Sequence, residues 1–250
     1  MTNDIPRRKD GGIKFGFRPS TEEELKACLS DPLWRICSGA LYKIIIKGDD
    51  DKDGLIMEFK PNRAQKRLIA SLWHRNVILK ARQLGFTTLV CIIWLDTALF
   101  SENVRCGIIA QDRDAAEAIF RDKVKFAYQN LPELLRLKMP LARDSASELL
   151  FAHNNSSIRV ATSMRSGTIH RLHVSEFGKI CAKYPDKAVE VITGSIPAVP
   201  LNGILIIEST AEGQDGEFYN ITQRAKALFD AKTELSMRDY RYHFFAWWDE

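Results

Sequence analysis

Short apolar runs that alternate with helical segments constrain the fold of this chain more than any other feature. The runs at 76–80, 104–110 and 203–208 are almost continuously apolar, and segments with helical periodicity separate them. Strands of this kind are buried on both faces, which is typical of a parallel sheet covered by helices. The sequence therefore predicts an α/β fold with a mostly parallel central sheet, and ligands of such sheets bind beyond the carboxyl ends of the strands.

Composition excludes several classes of protein. The 250 residues carry a formal charge of +4, with 45% apolar and 27% charged residues, which argues against disorder and does not by itself indicate a polyanion partner. The five cysteines are widely spaced without a CxxC pair, so we expect reduced thiols in a cytosol-like compartment. The longest apolar run, 89–95, is too short to span a membrane.

The chain divides in the sequence into an extension and a main domain. Residues 1–20 are rich in Gly, Pro and Arg and are interpreted as a mobile arm. A short helix should follow Thr21, and two β-rich runs around an acidic turn at 48–54 predict a hairpin. We therefore expect a small N-terminal helix and hairpin extension over 1–54 and an α/β domain over 55–250.

The segment after the first core strand has the context of a phosphate-binding loop. Backbone amides at a helix N-terminus hold phosphates, and a threonine hydroxyl reaches the metal ion. The standard pattern GxxxxGK[ST] is met at Gly85 and Thr87. It fails twice, since Lys80 occupies the first glycine position and Phe86 the lysine position. Lys80 and Arg82 can supply the missing charge, and the alternative is an ordinary strand-to-helix turn.

A second apolar strand, at 172–175, ends in a carboxylate. In P-loop ATPases such a strand ends in a metal-linked aspartate, and a glutamate there polarises the water that attacks the γ-phosphate. Here Ser175 stands at the aspartate position and Glu176 at the glutamate position. The alternative is a surface glutamate at the end of a strand.

Two weaker features agree with this interpretation. The strand at 203–208 leads into Ser209, Thr210 and Gly213, a small turn that can sense the γ-phosphate. Gln65, upstream of the first core strand, can pair with the N6 donor and N7 acceptor of adenine. An ordinary turn and a solvent-exposed glutamine are the alternatives, but three strand-end motifs in this order are less expected by chance.

Together these motifs resemble the ATPase domain of the large terminase subunit of tailed bacteriophages, which packages DNA into the prohead. The similarity covers about 55–250 and is carried by RQLGFTT, LHVSE and STAEG, with PNRAQ resembling the adenine motif and AWWDE the end of the domain. The resemblance implies a P-loop NTPase fold of the ASCE type (an extra strand and a catalytic glutamate), Mg²⁺ and ATP as cofactors, and a ring that translocates duplex DNA.

The resemblance also implies roles for individual residues. Glu176 would activate water, and Arg165 would reach the ATP of a neighbouring subunit, the alternative being a salt-bridged loop arginine. Thr87 would bind the metal ion, and Ser175 would do so through water. The coupling residues would be Ser209, Thr210 and Gly213. The nucleotide-binding residues would be Gln65, Lys80, Arg82, Gln83, Leu84, Gly85, Phe86, Thr87 and Thr88.

The partners implied by the resemblance are double-stranded DNA, the portal protein and the small terminase subunit. We expect a homo-oligomeric ring when assembled, a monomer in isolation, no membrane, and a location in the host cell cytoplasm. The nuclease domain that follows the ATPase in this family is expected to be absent from this chain. Two alternatives remain open, a helicase-like P-loop ATPase and a nucleotide-binding scaffold with a decayed site, and loss of ATP turnover in Glu176→Gln would argue against the scaffold.

Overall fold

The computed structural model describes residues 5–46, 54–165 and 167–249. The strands in these ranges are β1 (Lys43–Ile46), β2 (Leu55–Glu58), β3 (Arg75–Lys80), β4 (Arg105–Ile109), β5 (Leu141–Asp144), β6 (Glu148–Phe151), β7 (Ser157–Ala161), β8 (Arg171–Ser175), β9 (Ile204–Ser209) and β10 (Tyr240–Phe245). The helices are α1 (Glu22–Ser30), α2 (Pro32–Cys37), α3 (Arg63–Ala70), α4 (Phe86–Phe100), α5 (Arg113–Ile119), α6 (Phe126–Gln129), α7 (Glu133–Lys138), α8 (Phe177–Lys183), α9 (Pro185–Glu190) and α10 (Gly216–Asp230).

Eight strands form one sheet with the order β10-β3-β9-β8-β4-β7-β6-β5. The first six of these run parallel, whereas β6 and β5 add an antiparallel edge. The predicted α/β fold with a mostly parallel sheet and flanking helices is confirmed. β9 lies between β3 and β8, so the carboxyl ends of these three strands are neighbours.

The two faces of the sheet bury separate sets of side chains. Alternate residues of a strand point to opposite faces, so Ile78 and Ile206 pack on the side of α4, while Val77 and Ile207 pack on the side of α8 and α10. α4 is apolar around most of its circumference because it lies between the sheet and the N-terminal extension. No described helix is long and apolar enough to cross a membrane.

The prediction of a mobile arm over residues 1–20 is wrong for the described part, which starts at residue 5. Ile13 is buried in the same core as α4, and its backbone N–H donates to Asp31 Oδ2 at 2.7 Å. Arg8 Nη1 lies 3.1 Å from the same oxygen. The Gly, Pro and Arg content of the segment suggested mobility, but one apolar anchor and one shared carboxylate hold it in place.

The remainder of the extension is joined to α4 by a buried ion pair. Arg35 Nη2 lies 2.7 Å from Asp96 Oδ2, and the hydroxyl of Tyr42 donates to Asp96 Oδ1 at 2.7 Å. Breaking one partner of such a pair costs about 3–5 kcal/mol, because a charge remains buried without a counter-ion. The extension is therefore packed as part of the same core.

The predicted hairpin is confirmed as β1 paired with β2, with Ile46 opposite Leu55. The acidic turn between them lies outside the described residues except for Gly54. Because Leu55 begins the second strand of the pair, a domain boundary between residues 54 and 55 separates two strands that bond to each other. The hairpin belongs on one side of any such boundary.

Two helical segments contain π-helical turns. The first consists of α5, the turn Phe120–Lys125 and α6. The second consists of α9 and the turn Val191–Ser195. A π-helical turn inserts one residue without ending the helix, and the first turn keeps both Phe120 and Val124 buried.

Candidate nucleotide and metal site

The loop from β3 to α4 has a backbone shaped for an anion. Gln83 and Gly85 both have left-handed φ angles, 65° and 69°, and a non-glycine residue in this region is uncommon. Gly85 is the N-cap of α4 and provides no side chain to bond the first amides of the helix. These N–H groups carry the positive end of the helix dipole and are available to an anionic ligand.

The side chain of Gln65 forms a hydrogen bond with the backbone of this loop. Its Nε2 donates to the carbonyl of Gly85 at 2.9 Å, and its Oε1 accepts from the backbone N–H of Asn62 at 3.0 Å. A Cβ at Gly85 would lie 2.8 Å from Gln65 Nε2, so the contact also requires glycine. The adenine contact stays a prediction, and it would require the amide to leave both partners.

Lys80 lies at the centre of the site, at the end of β3. Its Nζ is 3.0 Å from Glu176 Oε1 and 3.1 Å from Glu208 Oε2, and its side chain is 7% exposed. Burial disfavours the charged ammonium, but the carboxylates of Glu208 and Glu176 outweigh it and raise the pKa of Lys80. Lys80 is therefore a buried, permanent cation directly below the loop.

Glu208, near the end of β9, is completely buried and joins four side chains. Its Oε1 accepts hydrogen bonds from the hydroxyls of Thr87 at 3.1 Å and Ser175 at 2.8 Å. His173 Nε2 lies 3.3 Å from the same oxygen, and Lys80 faces the other. Burial opposes ionisation, but His173, Lys80 and Ser175 overcome it and hold the pKa of Glu208 at about 2.

Glu176 follows β8 directly and adopts a left-handed conformation, with φ 53° and ψ 44°. Such strain in a residue with a side chain persists where the surroundings enforce it, and it concentrates at functional sites. Its Oε1 contacts Lys80, and its Oε2 lies 3.2 Å from Lys179 Nζ. The side chain is 22% exposed, so water can reach this carboxylate.

Two predicted residues of the loop face the core. Phe86 is buried, and its ring packs against that of Phe245 with centroids 4.5 Å apart and an angle of 51° between the ring planes. Leu84 is also buried in the cluster around α4. Phe86 therefore fills space under the loop instead of replacing the lysine of the standard pattern, and both residues can offer a nucleotide only their backbone amides.

The side chains of Arg82 and Thr88 have different surroundings. Arg82 is exposed on the solvent side of the loop, where its guanidinium can approach a phosphate. Thr88 accepts a hydrogen bond from Lys123 Nζ at 2.9 Å. Their roles in nucleotide binding stay predictions.

The coupling residues follow β9 at the same edge of the sheet. Ser209 is fully buried, Thr210 donates to Glu212 Oε1 at 3.2 Å, and Gly213 has a φ of 105° that favours glycine. Gly213 also lines a cleft of about 330 Å³ together with residues of α8 and α10. The turn thus connects the end of β9 to a space between two helices, and its coupling role stays a prediction.

Arg165 lies in the loop between β7 and β8 and is 70% exposed. Its Nε and Nη2 each lie 2.5 Å from an oxygen of Glu190, so the guanidinium is paired within its own chain. An exposed arginine can still reach a neighbouring subunit, but it would have to exchange Glu190 for the new partner. Its role as a finger stays a prediction.

The sequence pattern does not single out Glu208 or His173 as functional residues. Glu208 stands at the end of one apolar run, and His173 stands within another. A signal was present, because a carboxylate and an imidazole each interrupt an otherwise apolar buried strand, and buried charges are retained when they are paired or functional.

The donor set suits Mg²⁺ carried by a nucleotide. Mg²⁺ takes oxygen ligands and is usually held by one or two carboxylates together with substrate phosphates. Thr87 and Glu208 present such oxygens side by side, and the other oxygen of Glu208, Oε2, is buried and lies 3.1 Å from Lys80 Nζ. Among the described residues, no group of three or more His, Cys, Asp or Glu could hold a metal ion.

Comparisons with known proteins agree with this architecture. No family model and no curated protein matches the sequence. The structure is similar to the ATPase domain of the Thermus phage P74-26 large terminase, with a TM-score of 0.56 and 18% identity over 76% of this chain and 83% of that one. It is also similar to the large terminase of bacteriophage HK97, with a TM-score of 0.61 and 16% identity over 84% of this chain and 43% of that one.

At these identities the likeness concerns the fold. The chain has the α/β fold of phage large terminase ATPase domains, which confirms the expected architecture. It spans less than half the length of the HK97 protein.

Proposed function

We propose that this chain is a Mg-ATP hydrolase of the P-loop class and the ATPase domain of a DNA-packaging motor. One observation carries the proposal. Lys80, Glu176, Glu208 and the hydroxyl of Thr87 converge below a loop whose amides are free to bind an anion, at the carboxyl edge of β3, β8 and β9. This edge is where parallel sheets bind their ligands.

The loop amides and the dipole of α4 bind the phosphates, and Lys80 and Arg82 provide the positive charge that the absent Walker lysine would supply. A charged hydrogen bond contributes about 1.5–3 kcal/mol. The metal ion, when bound, neutralises phosphate charge, and Thr87 and Glu208 are the residues that would hold it. Glu176 is the group that orients the attacking water and takes up its proton.

The role of Glu176 in activating water depends on whether its carboxylate is free of Lys80. Without nucleotide, Lys80 holds Oε1 of Glu176 in an ion pair. A phosphate below the loop competes for the same ammonium, so Glu176 is released when substrate arrives. Hydrolytic competence then depends on nucleotide binding.

The DNA-packaging part of the proposal is supported by fold likeness to two large terminases. On this proposal the chain acts on double-stranded DNA in a homo-oligomeric ring and works with a portal protein and a small terminase subunit. Arg165 would then complete the site of the adjacent subunit. A helicase-like ATPase would share the hydrolytic site but would separate the strands.

The first experiment replaces Glu176 with glutamine, which keeps the shape of the side chain and removes its negative charge. ATP should still bind, while turnover should fall by about 100-fold or more. Glu217→Gln is the matched control, because Glu217 is exposed in the first turn of α10 and should leave turnover unchanged. If ATP affinity collapses in Glu176→Gln, the residue is structural and the hydrolytic assignment is wrong.

The second experiment tests the motor. The assembled protein should displace a third strand bound along duplex DNA in an ATP-dependent manner, without separating the two strands of the duplex. Strand separation would favour the helicase-like alternative. ATP hydrolysis without movement on either substrate would contradict both.

A further inference from the structure

The site has a metal-binding threonine but no carboxylate at the usual position. In P-loop ATPases the metal ion is held by a Ser or Thr of the loop and by an aspartate at the end of the Walker B strand. Here the strand in that position is β8, and it ends in Ser175. A hydroxyl carries no charge and cannot replace a carboxylate by itself.

A carboxylate lies one strand away. Ser175 and Glu208 are opposite each other in the pairing of β8 with β9, and their side chains are on the same face of the sheet. Glu208 Oε1 accepts the hydroxyl of Ser175 at 2.8 Å and that of Thr87 at 3.1 Å. Glu208 thus bonds both the threonine of the loop and the residue that stands where the aspartate is missing.

We propose that Glu208 supplies the metal-holding carboxylate of this site from β9, in place of an aspartate on β8. This inference rests on the proposed function, since it concerns the metal ion of Mg-ATP. Ser175 then has a positioning role, because its hydroxyl fixes the carboxylate that reaches the site.

The charges around Glu208 argue against a purely structural ion pair. Lys80 is shared between Glu208, at 3.1 Å, and Glu176, at 3.0 Å, and Glu176 also pairs with Lys179 at 3.2 Å. Burying a carboxylate completely is expensive unless it is compensated. A completely buried carboxylate that shares its lysine with Glu176 and lies beside a threonine hydroxyl is a suitable place for a divalent cation.

His173, on β8, contacts the carboxylate of Glu208 on the neighbouring strand β9. Its Nε2 lies 3.3 Å from Oε1, and the imidazole is fully buried on the same face of β8. Together with Ser175 it restricts the carboxylate to the orientation that meets Thr87. Polar side chains that contact a metal-binding group fix the orientation of that group.

The test measures nucleotide binding instead of turnover. The full chain is titrated calorimetrically with a non-hydrolysable ATP analogue, once with Mg²⁺ and once with EDTA. The wild type should bind the magnesium complex at least about tenfold more tightly than the metal-free analogue, the scale of one hydrogen bond to a charged group. Glu208→Gln should lose most of this ratio while binding the metal-free analogue as tightly as the wild type or more tightly. Glu217→Gln should keep the ratio.

The outcomes separate this inference from the proposed function. A wild type that binds the analogue in neither condition refutes both. A metal-dependent wild type with an unchanged ratio in Glu208→Gln refutes the role of Glu208 alone, as does a parallel loss of both affinities, which would indicate a structural residue.

If Glu208→Gln does not fold, Glu208→Asp provides the same measurement. The aspartate keeps the negative charge near Lys80 and His173 but is too short to maintain the contacts with Thr87 and Ser175. The ratio should then fall, and an unchanged ratio would overturn the proposal.

Discussion

Replacing Lys80 with methionine tests the electrostatics of the site independently of any ligand. Methionine keeps most of the side-chain volume but removes the cation between Glu176 and Glu208. Glu176 is partly exposed and retains Lys179 as a counter-ion. Glu208 is completely buried and loses its lysine. The loss of folding stability in Lys80→Met should therefore come from the carboxylate of Glu208, which stays buried without its lysine.

The magnitude follows from this difference in burial. Leaving one partner of a buried pair uncompensated costs about 3–5 kcal/mol, and we expect Lys80→Met to lower the free energy of unfolding at pH 7 by about 3 kcal/mol. Lys179→Met is the matched control, because Lys179 pairs with a partly exposed carboxylate and such contacts contribute about 1 kcal/mol or less.

A double-mutant cycle isolates the pair. Glu208→Gln leaves Lys80 with Glu176 and should cost about 1–3 kcal/mol, the usual cost of a lost buried bond. The double variant Lys80→Met/Glu208→Gln contains no stranded charge, so it should be more stable than the sum of the single effects predicts, by more than about 1 kcal/mol. Urea unfolding followed by tryptophan fluorescence measures each free energy.

The pH dependence of the stability difference between Lys80→Met and the wild type provides a further test. The folded pKa of Glu208, about 2, lies below its ordinary value of 4.5, so its stabilisation is present above pH 4.5 and is lost as pH falls toward 2. In Lys80→Met burial remains while the cation is gone, so the pKa of Glu208 rises. The deficit of the variant relative to the wild type should therefore shrink as pH is lowered from 7 to 4. An additive cycle, or a deficit that does not change with pH, would refute this account.

Two further predictions concern the exposed arginines. Arg82→Ala should weaken ATP binding by about tenfold, the loss of one charged hydrogen bond, while Arg113→Ala, which removes an exposed arginine on α5, should not; equal affinities for the two variants would contradict the role of Arg82. In mixed assemblies, Arg165→Ala and Glu176→Gln subunits should recover ATPase activity that neither shows alone, because an arginine supplied in trans contributes about 10³–10⁵ in rate. A fully active Arg165→Ala protein would exclude a finger at this position.

The sheet was largely predictable because its strands are continuous apolar runs. The apolar runs locate β3, β8 and β9 to within about one residue. The order in which the strands pair does not follow from apolar runs, and the sequence does not predict it. The N-terminal segment was misjudged, since composition does not reveal that Ile13 meets a core and that Asp31 accepts two donors.

The site was predictable in position but not in its charge arrangement. Lys80 and Glu176 stand at strand ends, where pattern reasoning looks for them. Glu208 also stands near a strand end, but it was interpreted by its apolar neighbours, and only the pairing of β8 with β9 places it beside Ser175. Likewise, Phe86 stands at the lysine position of the pattern, and only its contact with Phe245 shows that it faces the core.

Both departures from the standard pattern involve a charge that has moved a short distance on one face of the sheet. Adjacent parallel strands lie about 4.8 Å apart, and the pairing of β8 with β9 places Glu208 opposite Ser175, from where its carboxylate reaches the hydroxyl of Thr87. Glu208 differs from an aspartate on β8 in this way, and Lys80 provides its ammonium from the start of the loop instead of its end. What the chemistry requires is a cation and a carboxylate at set positions beyond the strands. Several residue patterns satisfy that requirement, so the geometry can be kept where the sequence pattern fails.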